Sequence, residues 1–301
     1  MADLTGGRRP GPMPFFLLLD EAMRRALPHL RTVFPSVAIP VALLTTLLSV
    51  FQTIVARQGQ EHVDVMTSLT NSFELLLGSL LLGIFIGVAY SVAQVAALDA
   101  LAGRPVDMRR AWRFVLRPRV WSTILLVGLA LFVSALACIL PVLYVAPLLA
   151  LVTPVMVEEG VFGAAALSRS AELARFNPSG VLSRSPILKI LLLMVAGTLI
   201  TYLAALPVDL PFQLPMLIDF VRRLLAGDLD PQALIYRWLW LQVPAEFLGS
   251  LVRTAVYLYT AFGIGMLFFD LRGRKEGTDL REEIDAVFAA PPAPSPEEPW
   301  P

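Results

Sequence analysis

Between Arg119 and Glu158 the chain holds no charged residue, and this one stretch limits the folds open to it. Drawn as a single α-helix, Val120–Val157 would reach about 57 Å at 1.5 Å per residue. The hydrocarbon core of a bilayer is only about 30 Å thick. The run is therefore expected to form two membrane spans joined by a tight turn. Pro141 marks the break, because proline disfavours helix at the residue before it. Only helices and closed barrels satisfy the backbone inside lipid, and so long a run without alternation is helical.

Further apolar runs complete a reading of six spans, at about 32–56, 73–98, 120–140, 141–157, 187–208 and 245–269. The expected fold class is thus all-α, a polytopic integral membrane bundle with cytoplasmic amphipathic surface helices. Charged residues make up 16% of the chain, against about 25% in a soluble domain. Formal net charge is zero, so nothing points to nucleic acid. Residues 1–275 read as one membrane domain, with 209–244 as an outer amphipathic segment. Residues 276–301 read as a cytoplasmic tail, Pro- and Glu-rich and disordered from about 290. Asp20 and Glu21 interrupt the apolar Phe15–Leu19 after Arg8 and Arg9, which is unlike a cleaved secretory signal.

Orientation follows the Lys/Arg count of short connectors. With the amino terminus inside, inner segments hold 19 of the 24 basic residues and outer segments 4, Arg253 lying in a span. Both termini are then cytoplasmic, and the expected location is a bacterial cytoplasmic (inner) membrane. The dominance of arginine, with only Lys189 and Lys275 as lysines, fits a GC-rich bacterial genome. Trp112 and Trp121 fall at the inner start of the third span, and Trp238 and Trp240 at the outer start of the sixth.

The connectors are not plain loops. Phe15–His29, Val106–Leu116 and Val161–Phe176 each alternate apolar and charged residues at helical spacing, as short helices on the cytoplasmic leaflet would. Their arginines favour anionic lipid by about 1 kcal/mol each near the surface; the alternative is that they only cap and orient the spans. Met23-Arg24-Arg25-Ala26 before the first span matches Met108-Arg109-Arg110-Ala111 before the third. Leu167–Phe176 stands in the same place before the fifth, suggesting three modules of surface helix plus two-span hairpin. On the outer side, Leu217, Phe220, Val221, Leu224 and Leu225 form an apolar stripe, either on the outer leaflet or as a lid.

Residues for chemistry are few. Cys138 is the only cysteine, so neither a disulfide within the chain nor a cysteine metal site can form. His29 and His62 fall on opposite sides of the membrane in this topology. There is no HExxH, GxSxG, Walker loop or nucleotide-binding glycine motif, and Gly263–Gly265 reads as close helix packing. No catalytic residue, metal or cofactor is expected. Arg253 is the notable intramembrane charge, either a functional group or a partner for Glu246 or Asp209. At the inner ends, Glu158, Glu159, Arg169, Asp270, Arg272, Arg274 and Glu276 are candidates for a structural or docking cluster of ion pairs.

Two stretches carry a family resemblance. Thr153-Pro154-Val155-Met156-Val157-Glu158-Glu159-Gly160 continues through Ala166-Leu167-Ser168-Arg169-Ser170 to Glu172-Leu173. The second is Asp270-Leu271-Arg272-Gly273-Arg274-Lys275-Glu276-Gly277-Thr278-Asp279-Leu280. Together they resemble the membrane domain of glycerophosphoryl diester phosphodiesterases and its stand-alone bacterial relatives, across roughly residues 13 to 285. The resemblance implies a multi-span fold without activity of its own. Hydrolysis in that family belongs to a separate soluble barrel with a His-Arg pair and acidic metal ligands. Here Leu30 follows His29 and Val63 follows His62, and no room remains for a barrel of about 250 residues. The expected role is non-enzymatic, lipid-contacting or scaffolding, with membrane lipids and another membrane or cytoplasmic protein as partners. The alternative is a permease or channel for a small solute.

Overall fold

The computed structural model describes residues 14–61, 65–137, 139–176, 185–227 and 238–277, and the chain is helical almost throughout them. Among the described residues nine helices follow one another: α1 (Phe15–Glu61), α2 (Val65–Leu101), α3 (Met108–Val115), α4 (Pro118–Ala137), α5 (Ile139–Leu149), α6 (Val152–Glu158), α7 (Ala164–Arg175), α8 (Pro186–Ala226) and α9 (Leu239–Glu276). Six segments among the described residues are long and apolar enough to cross a membrane: Phe15–Ile54, Leu77–Leu101, Pro118–Ala137, Leu140–Glu158, Pro186–Ala226 and Trp240–Glu276. Leucines such as Leu129, Leu136, Leu199 and Leu203 stay exposed on these helices. In lipid that exposure costs nothing, because hydrocarbon is as apolar as leucine.

Helix α9 is the centre of the bundle and packs against α1, α8 and α2. Without a hydrophobic drive between helices in lipid, such packing depends on small residues that let side chains in closely. A Cβ on Gly263 would fall 2.9 Å from Leu193 of α8, and one on Gly265 would fall 2.8 Å from Leu101 of α2. Gly263→Leu is therefore expected to wedge α8 from α9 at a cost of about 1–3 kcal/mol. Gly128→Leu, where a Cβ meets nothing within 4 Å, should leave stability unchanged. Thermal unfolding in detergent compares the two, and equal midpoints would contradict this packing.

Several expected boundaries differ in the structure. The amphipathic Phe15–His29 is not a separate surface helix but the first part of α1, which runs on through Pro28, Pro35 and Pro40. Its course still bends. Thr45 meets Ser250 (Oγ1···Oγ, 2.8 Å), and His29 stacks on Phe262 at 6.1 Å, further along α9. Yet Tyr259 Oη donates to the Leu19 carbonyl (3.1 Å), back along α9. The segment before Pro28 thus crosses α9 instead of continuing beside it. Leu18, Ala22 and Ala26 face inward while Phe16, Met23 and Leu27 are exposed.

The segment 209–244 is likewise not a separate piece over its first part. Helix α8 continues through Pro207, Pro211 and Pro215 to Ala226 and ends at Gly227, in the left-handed region at φ 70°. At 1.5 Å per residue α8 is about 60 Å long, twice the hydrocarbon core. It returns as a hairpin with α9, where Trp238 Nε1 donates to Asp219 Oδ2 (3.2 Å). Leu217, Val221, Leu224 and Leu225 remain exposed on it.

Near the expected turn at Pro141, α4 ends at Ala137 and α5 begins at Ile139, with Cys138 between them outside the described residues. Pro141 sits in the first turn of α5, where a missing N–H leaves no helix bond unmade. The fourth span, expected to be continuous over 141–157, is itself broken at Ala150–Leu151 into α5 and α6. Pro154 explains the break. It has no N–H for the Ala150 carbonyl, and its ring would clash there in a continuous helix. Backbone freed inside a membrane needs a partner, and buried Ser170 of α7 supplies one, donating to the Leu148 carbonyl at 2.6 Å.

A surface segment followed by a hairpin occurs three times in the chain order: the start of α1 before α1–α2, α3 before α4–α5/α6, and α7 before α8–α9. In the matching tetrapeptides Ala26 and Ala111 are buried, and Arg24, Arg109 and Arg110 face outward.

Candidate functional site

The charges concentrate where α2, α6 and α9 end, beside α7. Asp99, two residues before the end of α2, is only 1% exposed. Gly103, at φ 70°, turns the chain back so that the Arg104 N–H donates to the Asp99 carbonyl (2.8 Å). The Arg104 guanidinium then lies between two carboxylates, with Nε 2.8 Å from Asp99 Oδ1 and Nη2 paired to Glu158 at the end of α6. Arg110 stands further off, 3.8 Å from the same Asp99 oxygen. The Asp99 contact is close but off the hydrogen-bond axis, so this carboxylate is held by charge attraction and neither oxygen has a hydrogen-bond partner among the described residues. Burial pushes the Arg104 pKa down, but Glu158 and Asp99 together outweigh it and the net shift is upward.

A second network joins α6, α7 and α9. Arg169 donates to both oxygens of Glu159, at 2.9 and 3.4 Å, and also to Glu172 at 3.3 Å. Its remaining partner is Glu276 at the end of α9, which also accepts from Arg272 at 3.0 Å. Lys275 pairs with Glu172. The hydrogen bond to Glu159 is the main reason the Arg169 pKa is raised.

Of the residues anticipated as one cluster, the structure joins Glu159, Arg169, Arg272 and Glu276. Glu158 turns instead to Arg104, because adjacent residues on a helix point about 100° apart. Asp270 and Arg274 form a pair within α9 at 2.7 Å. Asp99, Arg104, Glu172 and Lys275 were not anticipated as members. The signal for Asp99 was its place directly after the apolar end of a span, where a carboxylate needs a cation.

Glu172 is exposed, and its pKa is lowered by Lys275 first and Arg169 second. A carboxyl depressed in the folded state stabilises above its ordinary pKa of 4.5, and that contribution is lost as pH falls through the depressed value. Amide exchange of α7 is expected to speed up below about pH 4 and to lose this dependence in Glu172→Gln. An identical acid response in the variant would contradict the assignment.

Arg253 lies apart from both networks. It makes a two-pronged contact with Glu246 at 3.1 and 3.2 Å, and Ser250 also donates to Glu246 at 3.3 Å. Gly249 makes room for the group: a Cβ there would fall 2.7 Å from Asp209 Oδ1 and 2.8 Å from Arg253 Nη2. Arg253 is thus an ion-pair partner, with Asp209 of α8 close by. Among the described residues no group of three or more His, Cys, Asp or Glu could hold a metal ion. His62 and Cys138 lie outside the described residues.

A crevice of about 500 Å³ opens between α2, α4 and the broken helix α5/α6. Gly83 and Gly87 of α2 and Ile124, Gly128 and Phe132 of α4 form two of its walls. Ser91 and Thr153, 3.4 Å apart and buried, contribute its polar corner.

Six apolar crossings in an all-helical bundle, with charges gathered at the helix ends, define a helical integral membrane protein. Comparison with protein-family models, with curated proteins and with solved structures finds none that matches the chain.

Proposed function

We propose that the protein is a non-enzymatic, lipid-contacting component of a bacterial cytoplasmic membrane that scaffolds a partner protein, with both termini in the cytoplasm. The observation that favours this is the Arg169 network, which ties α6, α7 and α9 into one charged platform at the inner ends. A platform of coupled ion pairs presents fixed charges to a partner, and complementary charge sets partner choice. The similarity of its residues to the phosphodiesterase membrane-domain family supports the same reading, a membrane module whose work is done with another domain or protein.

Affinity purification from native membranes tests it. A partner should co-purify with the full chain and be lost with Glu159→Gln or Arg272→Gln, each in a chain that remains folded in detergent. Recovery of the same proteins with both variants would sink the scaffold reading. Orientation is tested with a cysteine placed at Arg113, which should resist an impermeant thiol reagent on intact cells.

A second reading, a permease for a small solute, draws on the break at Ala150–Leu151 beside the crevice. Discontinuous helices next to cavities are a feature of transporters. It predicts solute flux in reconstituted vesicles that falls on Thr153→Val, at the polar corner of the crevice.

A further inference from the structure

The crevice differs from the tight seams around α9. At Gly83 and Gly128 an added Cβ would meet nothing within 4 Å, whereas at Gly263 and Gly265 it would collide. These crevice glycines hollow out space and bring no backbones together. The resulting volume of about 500 Å³ is in the range of small-molecule sites. Leu80 and Phe132 on its walls are 45% and 38% exposed, so it opens sideways from spans towards lipid.

The connector that leads into α4, one wall of this crevice, is strongly basic. Arg117 caps α4, its carbonyl accepting from the N–H groups of Val120 and Trp121 at 3.0 Å. It stands seven residues before Ile124 of the crevice wall, about 10 Å along the helix axis at 1.5 Å per residue. Its guanidinium lies 5.5 Å from the centre of the Phe114 ring, and the side chain is exposed. Arg109, Arg113 and Arg119 are exposed on the same connector. Among the described residues none of these four has a carboxylate partner, while Arg104, Arg169, Arg272, Arg274 and Lys275 nearby are all paired. Asp107 does not compensate them, because its side chain is engaged in capping α3. Unpaired arginines beside an apolar crevice call for an occupant with an anionic end and a hydrocarbon body.

We infer that this is a binding site for one anionic phospholipid, with an acyl chain in the crevice and the phosphate-bearing head group against Arg117 and its neighbouring arginines. The inference rests on the lipid-contacting reading above and names its lipid class.

The test uses the full-length protein in mild detergent, examined by native mass spectrometry with phosphatidylglycerol or phosphatidylcholine of matched chains. The wild type should retain one phosphatidylglycerol in preference to phosphatidylcholine. Arg113→Gln/Arg117→Gln should still hold a lipid but lose roughly 30-fold in that preference, at about 1 kcal/mol per arginine. Gly83→Leu/Gly128→Leu should fill the crevice and lose the bound lipid of either kind, while its thermal unfolding midpoint equals that of the delipidated wild type. The inference is overturned if the filled variant holds lipid as the wild type does, if the arginine variant keeps its preference, or if soluble glycerol phosphate competes as well as the lipid. A protein that transports solute yet keeps its phosphatidylglycerol would refute the scaffold reading alone. One that captures a partner without any lipid preference would refute this site alone.

Discussion

Arg104→Ala is expected to lower the stability of the bundle by about 3 kcal/mol, the low end for one-sided loss of a buried ion pair. The side chain is itself 34% exposed, which is why the estimate stays at that end. What the variant leaves behind sets the cost. Asp99 is 1% exposed and Glu158 11%, and both carboxylates would lose their nearest cation. Asp99 also lies in the last turn of α2, where the helix dipole is negative and a carboxylate is disfavoured. The 3.8 Å contact with Arg110 is too long to take over fully. Purified protein in detergent should unfold several degrees lower. Asp99→Asn combined with Arg104→Met should recover much of the loss, because removing charge from both partners is far cheaper than stranding one. If Arg104→Ala unfolds with the wild-type midpoint, Asp99 is not held in this way.

Arg169→Ala should have the next largest effect, about 2 kcal/mol, since the side chain is 22% exposed and solvent shares in screening its pairs. One guanidinium here meets Glu159, Glu172 and Glu276 on three helices. Its loss sets those carboxylates against one another and leaves the Lys275–Glu172 pair to tie α7 to α9. Arg169→Lys should recover less than half, because an ammonium cannot reproduce the two-pronged contact with Glu159 while reaching Glu276. The readout is amide exchange across α7, with Ser170 as an internal marker. Faster exchange there would show that α7 has lifted from the Leu148 carbonyl, and unchanged protection would mean that apolar packing of Leu173 and Ala174 is sufficient.

The pairing of Arg253 shows how far a local reading reaches. Glu246 lies seven residues earlier on the same helix face, so that contact was legible from spacing alone. The proximity of Asp209 was legible only as one of two options, because it depends on how α8 folds back along α9. Asp99 was visible as a span end, yet its burial could not be read from the sequence. That depends on Arg104 and on Glu158, which comes from a helix two connectors away. The crevice had no sequence signature either. Gly83 and Gly128 look like the packing glycines Gly263 and Gly265, and only the distance to the neighbouring helix makes one pair a seam and the other a hollow.

Hydrophobicity is a property of each residue and the bilayer has a fixed thickness, so charge-free runs of sufficient length were enough to determine six crossings and an all-helical fold. Proline positions were ambiguous at the level of sequence. Those in α1 and α8 are absorbed within continuous helices, whereas Pro154 coincides with a break at Ala150–Leu151. At this break the end carbonyls of α5 have no helical partner, and Ser170 of a distant helix bonds that of Leu148. Continuity of the helices, the partner of each charge and the hollow between α2 and α4 were therefore decided by tertiary contacts, which join residues that the sequence keeps far apart.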